Sequence, residues 1–233
     1  VLMRGVSEEI ANIVEERHRS AGVNFKLGVN IESIQQTGEE SVITLTDGAI
    51  IRCDMIVVGI GATPVTSLAD ECGLEIDNGV SVNEMLVTSD SDIYAAGDCC
   101  SFPHSLYNGR RIRLEAWRNA QDQGLHAAGN MLGTAAAYSN VPWFWSDQYE
   151  LTLQVAGLLD CGQTIVLRDL GDAGKLYFHL NEIGRLVSVS GIGLSSIISK
   201  EIRLAEMLIE RQATPESAAL TNPAIKLKGL LRS

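Results

Sequence analysis

The sequence predicts an α/β architecture followed by an α+β domain built on an antiparallel sheet. Three observations carry this. The continuous apolar run MIVVGI (55–60) reads as a strand buried on both faces, the mark of a parallel sheet. RLEAWRNAQDQGLHAAGNML (113–132) reads as a helix of roughly five turns. Beyond VPWFWSDQ (141–148) the texture changes to alternating runs separated by Gly and Asp turns, as in antiparallel sheets.

Taken in order, Ser7 is placed to cap a helix whose first turn carries Glu8 and Glu9, acidic groups that suit the positive helix end. Ile10, Ile13 and Val14 give it one apolar stripe, and Gly22 ends it. Strand-like runs follow: NFKLGVNIESI, SVITLT and AIIRC, the last two joined by Asp47-Gly48, a strong hairpin signal. After the buried run comes GIGATP (59–64). Pro64 replaces the third glycine of a G-x-G-x-x-G phosphate loop, and only a short helix near Ser67 follows. A crossover between domains fits better, with Pro64 fixing φ. GVSVN (79–83) and IYAA (93–96) read as further strands. In the last third the strands are QYELTLQVAG, QTIVLRDL, KLYFHL and RLVSVSGIG. Two helices close the chain, SSIISKEIRLAEMLIERQ and a shorter one after Asn222-Pro223.

Bulk properties exclude several classes. A net charge of −11 argues against nonspecific nucleic-acid or anionic-membrane binding, which need a basic footprint. No apolar run approaches the ~18 residues of a membrane helix, and the first residues do not read as a secretion signal. The five cysteines show no C-x-x-C spacing, so they read as reduced thiols of a cytoplasmic protein rather than a metal or dithiol centre. The four histidines are scattered and read as structural or surface residues.

The most specific segments of the chain are GIGATP (59–64), TSDSDIYAAGD (88–98), RLEAWRNA (113–120) and PWFWSDQ (142–148). In this order, with an antiparallel domain behind, the chain resembles the FAD-dependent pyridine-nucleotide oxidoreductases. It is most similar to the ferredoxin reductases that serve aromatic-ring dioxygenases and bacterial haem monooxygenases. The fold this implies is part of a two-dinucleotide-binding-domain flavoprotein. Residues 1–58 would be the second half of an NAD(P)-binding domain, 59–140 the C-terminal half of an FAD-binding domain, and 141–233 the C-terminal reductase domain. Val1 would follow the strand whose acidic end selects the nicotinamide.

The resemblance also implies the site. Gly97 lets backbone approach the flavin, and ionised Asp98 accepts a hydrogen bond from a ribityl hydroxyl. Backbone N–H groups at Glu115, Ala116 and Trp117 face the flavin's pyrimidine edge, where negative charge arrives on reduction. Trp145 lies beside the isoalloxazine, with Trp143 less securely placed. FAD and NAD(P)H are the implied cofactors and a small [2Fe-2S] ferredoxin the implied acceptor, with no acid–base residue required. An acidic ferredoxin would need a local basic patch, for which Arg110, Arg111, Arg113, Arg118, Lys226 and Lys228 are candidates. Alternatives are a rubredoxin, nitrite or monodehydroascorbate reductase, or an inactive remnant serving as an interaction module. The G-x-G-x-x-G of an FAD-binding βαβ unit has no counterpart in these residues. The chain is therefore expected to be the C-terminal portion of a longer reductase, binding FAD weakly or not at all by itself and lacking NADH oxidase activity.

Overall fold

The computed structural model describes residues 5–232; Val1, and with it the expected entry from a nicotinamide-selecting strand, lies outside them. Two compact units emerge, one formed by residues 12–63 and the other by the described residues up to Ala11 together with 64–232.

Helix α1 (Glu8–Ser20) has Glu8 and Glu9 in its first turn and Arg17, His18 and Arg19 in its last, both favourable to the helix dipole. Ile10, Ala11 and Val14 are buried, and Gly22 at φ +92° ends the helix. Ser7 occupies the cap position through its carbonyl, which accepts from the Ala11 N–H at 3.0 Å. The expected side-chain cap does not form, since the Ser7 hydroxyl is buried without a partner among the described residues.

In the first unit, β1 (Ile31–Thr37), β2 (Glu40–Leu45) and β3 (Ile50–Cys53) form an antiparallel sheet in that order. The Asp47-Gly48 hairpin is as the sequence predicts, with Gly48 at φ +83° and the Ala49 N–H donating to Asp47 Oδ1 at 2.9 Å. The run 55–60 departs from expectation. It forms no strand, and Met55, Val57, Val58 and Ile60 are all more than two-thirds exposed. A parallel strand needs hydrogen-bonding neighbours, and no described strand pairs with this run.

The second unit continues with α2 (Ser67–Glu71) and a sheet of order β4-β5-β6, built from β4 (Val80–Ser81), β5 (Cys100–His104) and β6 (Arg110–Ile112). The β4–β5 pair is parallel, Val80 opposite Cys100. Residues 93–96 do not extend this sheet. The chain folds back on itself instead, with a single bridge between Val87 and Tyr94 and the Ala95 N–H bonded to Leu86 O. Helix α3 (Trp117–Met131) covers this sheet through a small core of Val82, Leu86, Cys100, Phe102, Ala127 and Tyr138. It starts four residues later than the sequence suggested.

The last part is an antiparallel sheet of order β7-β8-β11-β10-β9: β7 (Trp143–Gln148), β8 (Leu151–Gly157), β9 (Thr164–Asp169), β10 (Gly174–Leu180) and β11 (Leu186–Gly193). Helix α4 (Ser195–Glu210) lays Ile198, Ile202, Ala205, Leu208 and Ile209 on it. The alternation read from sequence holds at the β9 edge, whereas β11 is buried along its whole length, as its central position requires. Short helices α5 (Ser217–Thr221) and α6 (Leu227–Leu230) complete the domain. Buried Arg168 fixes α5 by donating to the Leu220 and Ala219 carbonyls at 2.6 and 2.8 Å.

Two histidines are structural, as expected. His104 Nε2 donates to Asn140 O at 2.9 Å while its buried Nδ1 has no partner among the described residues. His179 Nε2 is likewise buried and unpartnered. Burial lowers the pKa of both below the ordinary value of 6.5, so the folded protein holds them neutral. Below pH 6.5 the unfolded chain binds more protons than the folded one. The stability these two groups confer is therefore complete above that pH and is lost progressively as pH falls toward their folded values. Urea unfolding across this range should show the decline, and a His104→Gln, His179→Gln variant should flatten it. An unchanged slope would show that neither imidazole is protonated on unfolding.

Candidate functional site

Gly97 and Asp98 lie at the tip that leads into β5 rather than at the end of a 93–96 strand, and backbone geometry sets them. Gly97 is buried at φ +85°, a conformation that favours glycine, and its N–H donates to Gln123 Oε1 on α3 at 2.7 Å. The Cys100 N–H bonds back to Gly97 O at 2.9 Å, and the turn so formed lifts Asp98 to the surface. Among the described residues, no hydrogen bond or ion pair holds the Asp98 carboxylate.

Next to this tip lies the entrance to α3. Ala116 is extended, with φ −149° and ψ 130°, and no side chain caps the helix. The N–H groups of the first turn, which have no acceptor within the helix, keep their donor capacity. Glu115, just before the cap, pairs with Arg113 at 2.7 Å. Arg113 also donates to Asp98 O at 2.9 Å and reaches Asn78 Oδ1 at 3.4 Å. One guanidinium thus braces the strand tip against the helix entrance.

An aromatic wall stands over the same helix start. Trp117 is 67% exposed and meets Trp145 edge-on at 6.4 Å; Trp145 is 44% exposed and stacks on Trp143 at 5.2 Å and 24°. The Arg118 guanidinium lies over the Trp143 ring at 4.7 Å. Large apolar rings left this open to water offer a stacking surface for a flat ligand.

A cavity of about 660 Å³ opens nearby, lined among others by Arg110, Arg113, Glu115, Ala116, Trp143 and Phe144. Of the six predicted site residues it takes in Glu115 and Ala116; Gly97, Asp98, Trp117 and Trp145 are not in its lining. The arginines named as candidates for a basic patch each have partners in the chain. Arg110 pairs with Asp160 at 2.6 Å, and Arg111 donates to Ser101 O and lies 3.6 Å from Asp77. Arg118 pairs with Glu206. Lys226 and Lys228 are exposed. Sequence reasoning missed Gln123 and the buried Asn119. Their i, i+4 spacing on one helix face was the available signal, two amides in line with the core residue Ala127. Among the described residues no group of three metal-ligating side chains occurs. The Cys100 thiol is buried and pushed up to about 12 by burial, so it is inert as a nucleophile.

Gly97 and Gly109 are both left-handed, at φ +85° and +73°. A Cβ at Gly97 would make ordinary van der Waals contact with Ala120 Cβ at 3.4 Å, and one at Gly109 would meet nothing within 4 Å. Backbone strain is therefore the cost at both positions, and Gly97→Ala and Gly109→Ala should each lose about 1 kcal/mol by urea unfolding. A much larger loss at Gly97 would show that α3 leaves no room for a methyl group there.

Comparison with known proteins places this geometry. The pyridine nucleotide-disulphide oxidoreductase family matches residues 1–124, and the reductase C-terminal family matches 143–231. The ferredoxin–NAD(+) reductase component of the anthranilate 1,2-dioxygenase system of Burkholderia cepacia is 35% identical over 99% of this chain and 56% of its own length. The ferredoxin reductase for the CYP199A2 system from Rhodopseudomonas palustris superposes with a TM-score of 0.89 at 29% identity, covering 98% of this chain and 56% of that one. The covalent putidaredoxin reductase–putidaredoxin complex gives 0.88 at 29% identity, over 100% and 55%. The chain thus spans about half the length of the relatives it matches. With the family matched over more than half of its residues and flavoprotein-reductase folds superposing along its whole span, the chain belongs to the pyridine nucleotide-disulphide oxidoreductase family.

Proposed function

We propose that this chain forms the ribityl- and flavin-edge side of an NAD(P)H:ferredoxin reductase that delivers electrons to a small [2Fe-2S] protein of an oxygenase system. The observation that carries this is the unpaired, exposed Asp98 carboxylate, fixed beside the uncapped start of α3 by Gln123 and Arg113. The donor set suits FAD. Gly97 permits close approach, Asp98 accepts from a sugar-alcohol hydroxyl, and the N–H groups near Glu115, Ala116 and Trp117 face developing negative charge. Trp145 supplies an aromatic flank. When bound, FAD takes a hydride from NAD(P)H and passes single electrons onward. The chain's own residues orient and stabilise, and they supply no acid or base.

The phosphate grip of such a site is not among these 233 residues, which contain no G-x-G-x-x-G. It would have to come from outside them. In this reading 1–58 belong to an NAD(P)-binding domain, 59–140 to an FAD-binding domain and 141–233 to the C-terminal reductase domain. The net charge of −11 supports neither nucleic acid nor an anionic membrane as partner, and no described helix is long and apolar enough to cross one. Five free cysteines accord with a reducing, cytoplasmic setting.

In the FAD-reconstituted reductase, Asp98→Ala should weaken FAD binding by about tenfold, the loss of one charge-assisted hydrogen bond, read by quenching of flavin fluorescence. Unchanged affinity would remove Asp98 from the site. NADH-dependent reduction of a [2Fe-2S] ferredoxin in preference to rubredoxin supports the proposed acceptor, and the reverse preference would reassign it.

A further inference from the structure

Glu206 lies on α4, away from the strand tip, yet it is only 6% exposed and carries two guanidinium partners. Arg118 reaches it at 2.5 Å and Arg203 at 2.9 Å. Arg118 belongs to the first turn of α3 and also donates to Val141 O at 3.1 Å while covering the Trp143 ring. It has a competing partner on its own helix, Asp122, at 4.0 Å. The two carboxylates lie on different helices. Asp122 is on α3 itself and also accepts from Asn140 Nδ2 at 3.1 Å, whereas Glu206 on α4 and Val141 O hold the guanidinium over the Trp143 ring. Trp143 in turn supports Trp145, and Trp145 meets Trp117.

We propose that Glu206 is a positioning residue, acting through Arg118 to set the orientation of the Trp143–Trp145 stack and of the first turn of α3. A buried carboxylate between two arginines is strongly held only while its partners stay in place, so the cluster has one preferred arrangement. The bearing of this clamp on electron transfer rests on the flavin reading above. The clamp itself does not, because it can be observed without a flavin.

All three tryptophans of the sequence, Trp117, Trp143 and Trp145, sit in this cluster, so indole signals report on nothing else. On the 233-residue chain, Glu206→Ala should lose most of the near-ultraviolet circular dichroism of the coupled indoles and raise acrylamide quenching of tryptophan fluorescence. Arg118→Ala should do the same, and the double variant should add nothing further. Arg203→Ala, which removes only the outer partner, should resemble the unaltered protein. Should Glu206→Ala fail to fold, the isosteric Glu206→Gln decides: it should keep the far-ultraviolet spectrum while moving the indole signals the same way. Unaltered indole signals in the folded Glu206 variants, or an equal change in Arg203→Ala, would overturn the proposal. Failure of FAD to bind would leave these signals as they are and would count only against the flavin reading.

Discussion

The buried hydrogen bond from the Gly97 N–H to Gln123 Oε1, 2.7 Å long, is the constraint on which the strand tip depends. It joins a left-handed glycine to a helix whose Ala120 also lies close by. From it follow the position of Asp98, the turn into β5, and the distance over which Arg113 can bridge Asp98 O to Glu115. Helix α3 extends the same role along its length. Asn119 accepts from the Tyr138 hydroxyl, and Asn130 bonds to Met85 O and to the backbone of Ala136. Polar rungs on a buried helix face are costly unless paired. The Gln123 and Asn119 oxygens are paired and fix the loops they touch, whereas Gln123 Nε2 and Asn119 Nδ2 are buried without a partner among the described residues.

The C-terminal sheet contributes differently. Its core is apolar and continuous, with β8 and β11 at the centre and α4 laid across them. Its influence on the candidate site passes through a few polar contacts near the start of α3, above all those of Arg118. An apolar sheet and helix layer is thus joined to a polar, open surface by a handful of directional bonds.

Local signals in the sequence were sound where local physics decides. The Asp47-Gly48 hairpin, the acidic start of α1 and the strands of the last third are all governed by turn chemistry, helix dipoles and period-2 patterning, which neighbours in sequence control. Expectations failed where distant residues decide. The run 55–60 has the composition of a buried strand but finds no described strand to pair with, and 93–96 turn back on 86–88 instead. Trp117 and Trp145 were legible as site candidates through family resemblance, but their contact was not. Arg118 and Glu206 are 88 positions apart, and no spacing rule links them. The partners of the four arginines were not legible either, because they lie on other elements.

The central claim is that the Gly97–Asp98 tip and the start of α3 form one side of a flavin site. A titration of the isotopically labelled chain with FAD, followed by two-dimensional nitrogen–proton NMR, tests it directly, because even weak binding shifts the amides it touches. Saturable shifts are expected at the backbone amides of Gly97, Asp98, Ala116 and Trp117 and at the Trp145 indole N–H. Saturable shifts confined to other regions would contradict this placement of the flavin.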